Sequence, residues 1–270
     1  MREHGIHYNG RMALPTFLDL PARETKPRAV GLTHVLDNGL SPAETRARLS
    51  SVGPQVDLWK FGWGIGYLDP HLREKLNLLA DNGIQACTGG TLLEISWLQD
   101  AVPELLDWAQ DAGFACLEVS SGSVDLPREV KSDLIAQAAE RFVVLAEIGA
   151  KSPDAPVSVA QWCADAEADL AAGARWVVTE GRESGTVGMF EADGAVRAGL
   201  ADALVAAVGA DRLIFEAPRR AQQAWLIRRH GHQVNLGNIA PAEVLAVETL
   251  RLGLRSDTLP IGLPRAGLSR

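Results

Sequence analysis

Residues Val143 to Lys151 read VVLAEIGAK, an apolar run that begins as a buried strand and finishes on two charges, Glu147 and Lys151. The pattern recurs along the chain. From Gly31 onward, short β-branched or aromatic runs alternate with amphipathic stretches of helical period, as in repeated βα units. Eight such runs are present: GLTHVLDNG, VDLWKFGWG, IQACTGG, ACLEVSSG, VVLAEIGAK, RWVVTEGRES, LIFEAP and QVNLGNI. Each is short and apolar, then breaks at Gly, Pro or a polar residue. The helices between them have legible ends. SPAETRARLSSV opens with Ser41 as a cap, Pro42 at the first helical position and Glu44 three residues after the cap. DPHLREKLNLLADNG starts at Asp69 and Pro70 and stops near Asn82 and Gly83. SVAQWCADAEADLAAGA, GAVRAGLADALVAAVGA and PAEVLAVETLRLGL carry apolar residues three and four apart, suited to packing on a sheet.

Eight parallel strands, each followed by a helix, close into a single (β/α)8 TIM barrel of the α/β class. Residues 1–30 form an N-terminal arm, 31–258 the barrel and 259–270 a C-terminal tail. An open doubly wound sheet is the alternative, but no GxGxxG turn follows the first strand. A length of 270 residues suits one barrel, and no composition shift divides it. With 47% apolar and 22% charged residues, the chain has the balance of a packed soluble protein. The net charge of −8 opposes general affinity for nucleic acid or anionic membrane, so an anionic ligand would need local cations or a metal. Cys87, Cys116 and Cys163 lie far apart with no CxxC pair, which fits a reducing cytoplasm. The opening residues are too polar and Pro-interrupted for a secretory signal, and no run reaches the length of a membrane span. The apolar stretch AVRAGLADALVAAVG would suit a contact between copies in a homo-oligomer.

In a barrel, the C-terminal strand ends face the pocket. Strand period is two, so an apolar residue should lie one layer below a charge in Val35 and Asp37, Leu58 and Lys60, Cys116 and Glu118, Leu145 and Glu147, Val178 with Glu180 and Arg182, and Ile214 with Glu216. The third and eighth strand ends differ. Gly89, Gly90 and Thr91, followed by Glu94, and Asn235, Gly237 and Asn238 suit backbone contacts with an anion. Converging carboxylates repel unless protonated, paired with Lys or Arg, or bridged by a cation. A hard divalent ion, Mg2+, is expected, with Lys60, Lys151 and Arg182 as the competing way of neutralising the acids. The six histidines show no paired ligand spacing, so zinc is not expected, and Ser120, Ser121 and Ser123 lack a GxSxG elbow. Trp59 and Trp63 are expected to pack at the barrel rim.

Taken in order, GLTHVLDNGL, DLWKFGWG, GGTLLE, EVSSG, EIGAK, EGRESG, IFEAP, VNLGNIAP and ETLRLGLRSDT resemble the phosphosulfolactate synthase family, from LPARETKPR to Thr258. The resemblance implies a TIM barrel and Mg2+-dependent addition of sulfite to phosphoenolpyruvate, giving (2R)-phosphosulfolactate on the route to coenzyme M. It points to Lys151 as general acid and to Glu118, Glu147 and Glu180 around the metal. Lys60 and Arg182 would then hold phosphate or sulfonate oxygens, with Ser184 and the NLGNI backbone as further phosphate donors. Two positions depart from the family pattern. Ser121 stands where an Asp is usual and Ala150 where a second lysine is usual, so one charge of each sign is missing together. For Lys151, a salt bridge to Glu147 and a Schiff-base role remain alternatives. For the chain, the alternatives are a barrel that uses another nucleophile or enol acid, and a non-catalytic relative of the plant heat-stress-associated members.

Overall fold

A computed structural model describes residue 15 and residues 17–149 and 157–261. Eight parallel strands close a barrel in chain order: β1 Thr33–Asp37, β2 Leu58–Phe61, β3 Gln85–Thr88, β4 Cys116–Val119, β5 Val143–Ile148, β6 Trp176–Thr179, β7 Leu213–Glu216 and β8 Leu236–Ile239. The surrounding helices are α1 Pro42–Val52, α2 Ile65–Leu68, α3 Leu72–Asp81, α4 Gly90–Leu98, α5 Val102–Ala112, α6 Arg128–Ala139, α7 Val159–Ala171, α8 Ala198–Val208, α9 Arg220–His230 and α10 Val244–Arg251. The cap at Ser41 is a full capping box: its hydroxyl accepts from Glu44 N at 3.3 Å, and Glu44 Oε2 accepts from Ser41 N at 2.9 Å. The helix expected from Asp69 begins only at Leu72, because Asp69 instead caps a preceding turn by accepting from His71 N. No helix among the described residues is long and apolar enough to cross a membrane.

Two layers of apolar side chains result from strand alternation. Leu32, Leu58, Cys87, Cys116, Leu145, Trp176, Val178 and Ile214 fill the barrel interior. Residues of the other parity, including Trp59, Phe61, Leu117, Val144, Ala146, Val177 and Phe215, pack outward against the helices. The inward faces expected for β2, β4, β5, β6 and β7 are therefore observed. β1 reverses the expectation. Val35 joins the outer layer, and Asp37 pairs outside the barrel with Lys75 of α3 at 2.7 Å, so His34 and Leu36 face inward. A strand buried on both faces has apolar residues at both parities, and hydrophobicity then cannot say which face is inner.

The arm seals the N-terminal end of the barrel. Arg23 bonds Glu248 at 2.9 Å, Arg28 bonds Asp57 at 2.9 Å, and Lys26 Nζ donates to the carbonyls of Gly53 and Asn82. Arg251, fully buried, donates to the carbonyls of Leu32, His232 and Val234, and burial pulls its pKa down to about 9. The opposite end, where the strands finish, is left for chemistry.

Candidate active site

Lys60 of β2 is the centre of that end. Its ammonium is 3.0 Å from Glu118 Oε2 of β4, 3.0 Å from Glu216 Oε1 of β7 and 4.0 Å from Glu147 Oε2 of β5. All four side chains are almost fully buried. Three acids on one ammonium are far apart in sequence and meet only because the barrel closes. Burial by itself would lower the pKa of Lys60, but Glu118, Glu216 and Glu147 together hold it well above the usual lysine value, so it is a permanent cation. Burial raises Glu118 to about 7, against the pull of Lys60, and raises Glu216 in the same direction. Glu118 also accepts from Gly90 N and Glu216 from Gly181 N, each at 2.9 Å, which fixes both carboxylates from a second side.

The cluster floors a cavity of about 280 Å³. Its wall includes Leu36, Trp63, Gly89, Gly90, Thr91, Ser123, Glu180, Arg182 and Asn238. Three wall residues, Trp63, Arg182 and Asn238, have left-handed backbones with φ of 50°, 50° and 53°. A non-glycine residue there costs free energy, and such residues gather where a chain is shaped for a ligand. The turn at Trp63 is kept by Gly89, where a Cβ would lie 2.6 Å from Trp63 N and 2.7 Å from Trp63 O. Of the two tryptophans expected to pack at the rim, Trp59 is fully buried in the core, whereas Trp63 is 43% exposed at the cavity wall. Glu94 of α4 lies behind the wall, buried, taking bonds from the Ser120 hydroxyl and Ser123 N. Beneath Lys60, His34 is completely buried, with no hydrogen-bond partner at either ring nitrogen among the described residues; burial, then the Lys60 charge, pushes its pKa well down, so it is neutral.

The described wall sets Glu118, Glu147, Glu180, Glu183 and Glu216 against Lys60 and Arg182, an excess of negative charge. Residues 21–257 match the family model of (2R)-phospho-3-sulfolactate synthase (ComA). The chain is 41% identical over 245 residues to phosphosulfolactate synthase of Methanothermobacter thermautotrophicus, covering 88% of this chain and 95% of that one. It is 37% identical over 244 residues to the Bacillus subtilis enzyme of the same name, covering 89% and 97%. The chain belongs to the phosphosulfolactate synthase family. Solved structures agree on the barrel alone. 3-Hexulose-6-phosphate synthase from Salmonella typhimurium matches with a TM-score of 0.52 at 12% identity, over 85% of this chain and 99% of that one. KGPDC from Streptococcus mutans matches with a TM-score of 0.52 at 14% identity, over 87% and 100%.

Within this member of the phosphosulfolactate synthase family, the expected site residues divide. Lys60, Glu118, Glu147, Glu180, Arg182, Gly90, Thr91 and Asn238 come together on one cavity. Lys151 and Ala150 lie outside the described residues. Asn235 is not at the site. Its side chain sits before β8, accepting from Leu32 N and donating to the Leu213 carbonyl, and so helps close the N-terminal end. Gly237 is packed inside against His34 and Ile214, and Ser184 is exposed on the loop after β6, bonded to Thr186. Lys60 does not fit the phosphate-holding role expected of it, because its ammonium is spent on carboxylates that would repel an anion. Glu216 was legible as an inward charge, yet its pairing to Lys60, 156 positions away, has no sequence signal.

For magnesium, the donors are of the right kind: carboxylate oxygens of Glu118, Glu147 and Glu180 border one cavity. Among the described residues no three acidic, His or Cys side chains form a preassembled cage. Glu118 is turned onto Lys60, which leaves Glu147 and Glu180 as the acids that would hold a Mg2+ ion.

Proposed function

We propose that the protein adds sulfite to phosphoenolpyruvate and releases (2R)-phosphosulfolactate. The observation that carries the reading is a small, acid-walled cavity at the C-terminal end of a barrel whose sequence follows phosphosulfolactate synthases over nearly its whole length. The sulfur of sulfite bonds to the methylene carbon, the C=C π electrons move toward the carboxylate, and a proton adds to the adjacent carbon. No other bond breaks. Magnesium, held by Glu147 and Glu180, would supply positive charge for the enediolate and offset repulsion between the two anions.

The chain's own groups do the rest. Lys60 aims Glu118 and Glu216 and lowers the cost of their ionisation, so the floor of the cavity is ordered before substrate arrives. Arg182, Thr91 at the start of α4, and Asn238, which line the cavity, would take phosphate or sulfonate oxygens. Trp63, which lines the cavity, would limit water there. Lys151 is assigned the proton donor on the family resemblance alone, a role that requires a lysine pKa brought down toward neutral pH.

The test is incubation of the protein with phosphoenolpyruvate, Mg2+ and sulfite, with product followed by mass spectrometry, and parallel reactions that omit sulfite or replace it with other nucleophiles. Product that requires sulfite is expected. Consumption of phosphoenolpyruvate with a different nucleophile only, or with none, refutes the assignment.

A further inference from the structure

Outside the barrel, behind Glu147, lies another buried lysine that the proposed reaction does not use. Lys131 of α6 is 3% exposed, and its ammonium donates to the main-chain carbonyl of Glu147 at 2.7 Å and to Asp169 of α7 at 2.8 Å. Asp169 is fully buried and also takes a bond from Arg128 at 2.6 Å. The place of this contact in the sheet explains it. β4 pairs with β5 only as far as Val119 opposite Ala146, so the next residue of β5, Glu147, is where the strand leaves its β4 neighbour. On the β6 side the ladder goes on, with Glu180 N donating to the Ile148 carbonyl. A buried carbonyl needs a donor, and Lys131 supplies the one that β4 does not.

We infer that Lys131 is a positioning residue for Glu147, fixing from outside the barrel the main chain whose carboxylate enters the cavity beside Lys60. The carboxylate of Glu147 comes within 4.0 Å of Lys60 while its carbonyl, on the side that β4 leaves, accepts from Lys131, so the residue is held at two points. If stability were the only requirement, an apolar pair would serve as well, because burying an ammonium and a carboxylate has a desolvation cost that their attraction only balances. A long cationic side chain is required where one group must reach a carbonyl and an acid on different elements at once. Groups that orient a metal-binding carboxylate change metal affinity by about 10- to 100-fold when removed.

The inference rests on the proposed function in taking Glu147 as a cation-binding acid, so its test reads binding separately from turnover. Mn2+ affinity is measured by electron paramagnetic resonance, with phosphoenolpyruvate present, for the wild type, Lys131→Met and Lys131→Arg, alongside thermal melting and the separate kcat and KM values. Expected for Lys131→Met is a folded protein whose Mn2+ affinity falls about 10-fold or more, with the rate restored largely by raising the metal concentration and with Lys131→Arg recovering most of the loss. Asp169 keeps Arg128 in that variant. Should Lys131→Met not fold, the Lys131→Met/Asp169→Asn double variant, which removes both charges, carries the same comparison. Unchanged Mn2+ affinity with only a lower melting temperature overturns the inference. A wild type that binds Mn2+ but never joins sulfite to phosphoenolpyruvate overturns the proposed reaction instead, and leaves the comparison of affinities standing.

Discussion

Replacing Lys60 with Met removes the cation that, among the described residues, Glu118, Glu147 and Glu216 share, and leaves three buried acids 3.0, 4.0 and 3.0 Å from where the ammonium stood. Stranding the partners of a buried ion pair costs about 3–5 kcal/mol. For a domain of this size, about 1 kcal/mol shifts Tm by 2–4 °C, so a fall of roughly 6–20 °C follows at pH 8. The loss must also depend on pH. Without Lys60 the folded-state pKa values of the acids rise further above their unfolded value, and the native state holds more protons than the unfolded chain. Stability conferred by those protons is full at low pH and disappears as pH rises through the folded pKa values. Lys60→Met should therefore be nearest to wild type around pH 5 and furthest from it at pH 8. Thermal unfolding of both proteins at pH 5, 6, 7 and 8 checks this. A deficit that is the same at every pH, or below about 1 kcal/mol at pH 8, refutes the placing of Lys60 as the common counter-charge.

Lys151→Ala should keep phosphoenolpyruvate binding, read by calorimetry, and lose about 10²-fold or more in turnover; near wild-type turnover removes Lys151 as the proton donor. Gly89→Ala puts a methyl group 2.6 Å from Trp63 N, so either the Trp63 turn or the start of α4 must move; a drop in melting temperature and in rate is expected, and a variant equal to wild type in both shows the close approach to be unimportant. His34 is neutral in the fold and its pKa is depressed, so below pH 6.5 the unfolded chain takes up a proton that the native state refuses, and stability falls as pH drops. Glu118, raised to about 7, acts in the opposite sense between 4.5 and 7, its stabilising proton being lost as pH rises. His34→Leu should thus flatten the acid side of the stability profile between pH 6.5 and 5; an unchanged acid side refutes the assignment.

The sequence alone determined the architecture. Eight apolar runs separated by helices with legible caps, such as Ser41 with Pro42 and Glu44, leave few ways to bury every face, and a closed barrel is one that needs no edge. It also determined which end carries the chemistry, because Lys60, Glu118, Glu147, Glu180 and Glu216 all stand at the finish of their strands. The tertiary structure alone decided what those charges do. His34 and Asp37 took the faces opposite to those their apolar neighbours suggested, since both sides of β1 are buried. Asn235, placed by its motif among the phosphate donors, closes the far end of the barrel instead. Lys60 turned out to be the counter-ion of acids 58 and 156 positions away, and Lys131, in no motif, holds Glu147 from behind. Periodicity records which residues avoid water, a local property of the chain. Which charge meets which is set by closure of the barrel, and that brings together residues whose separation in sequence has no bearing on their distance in space.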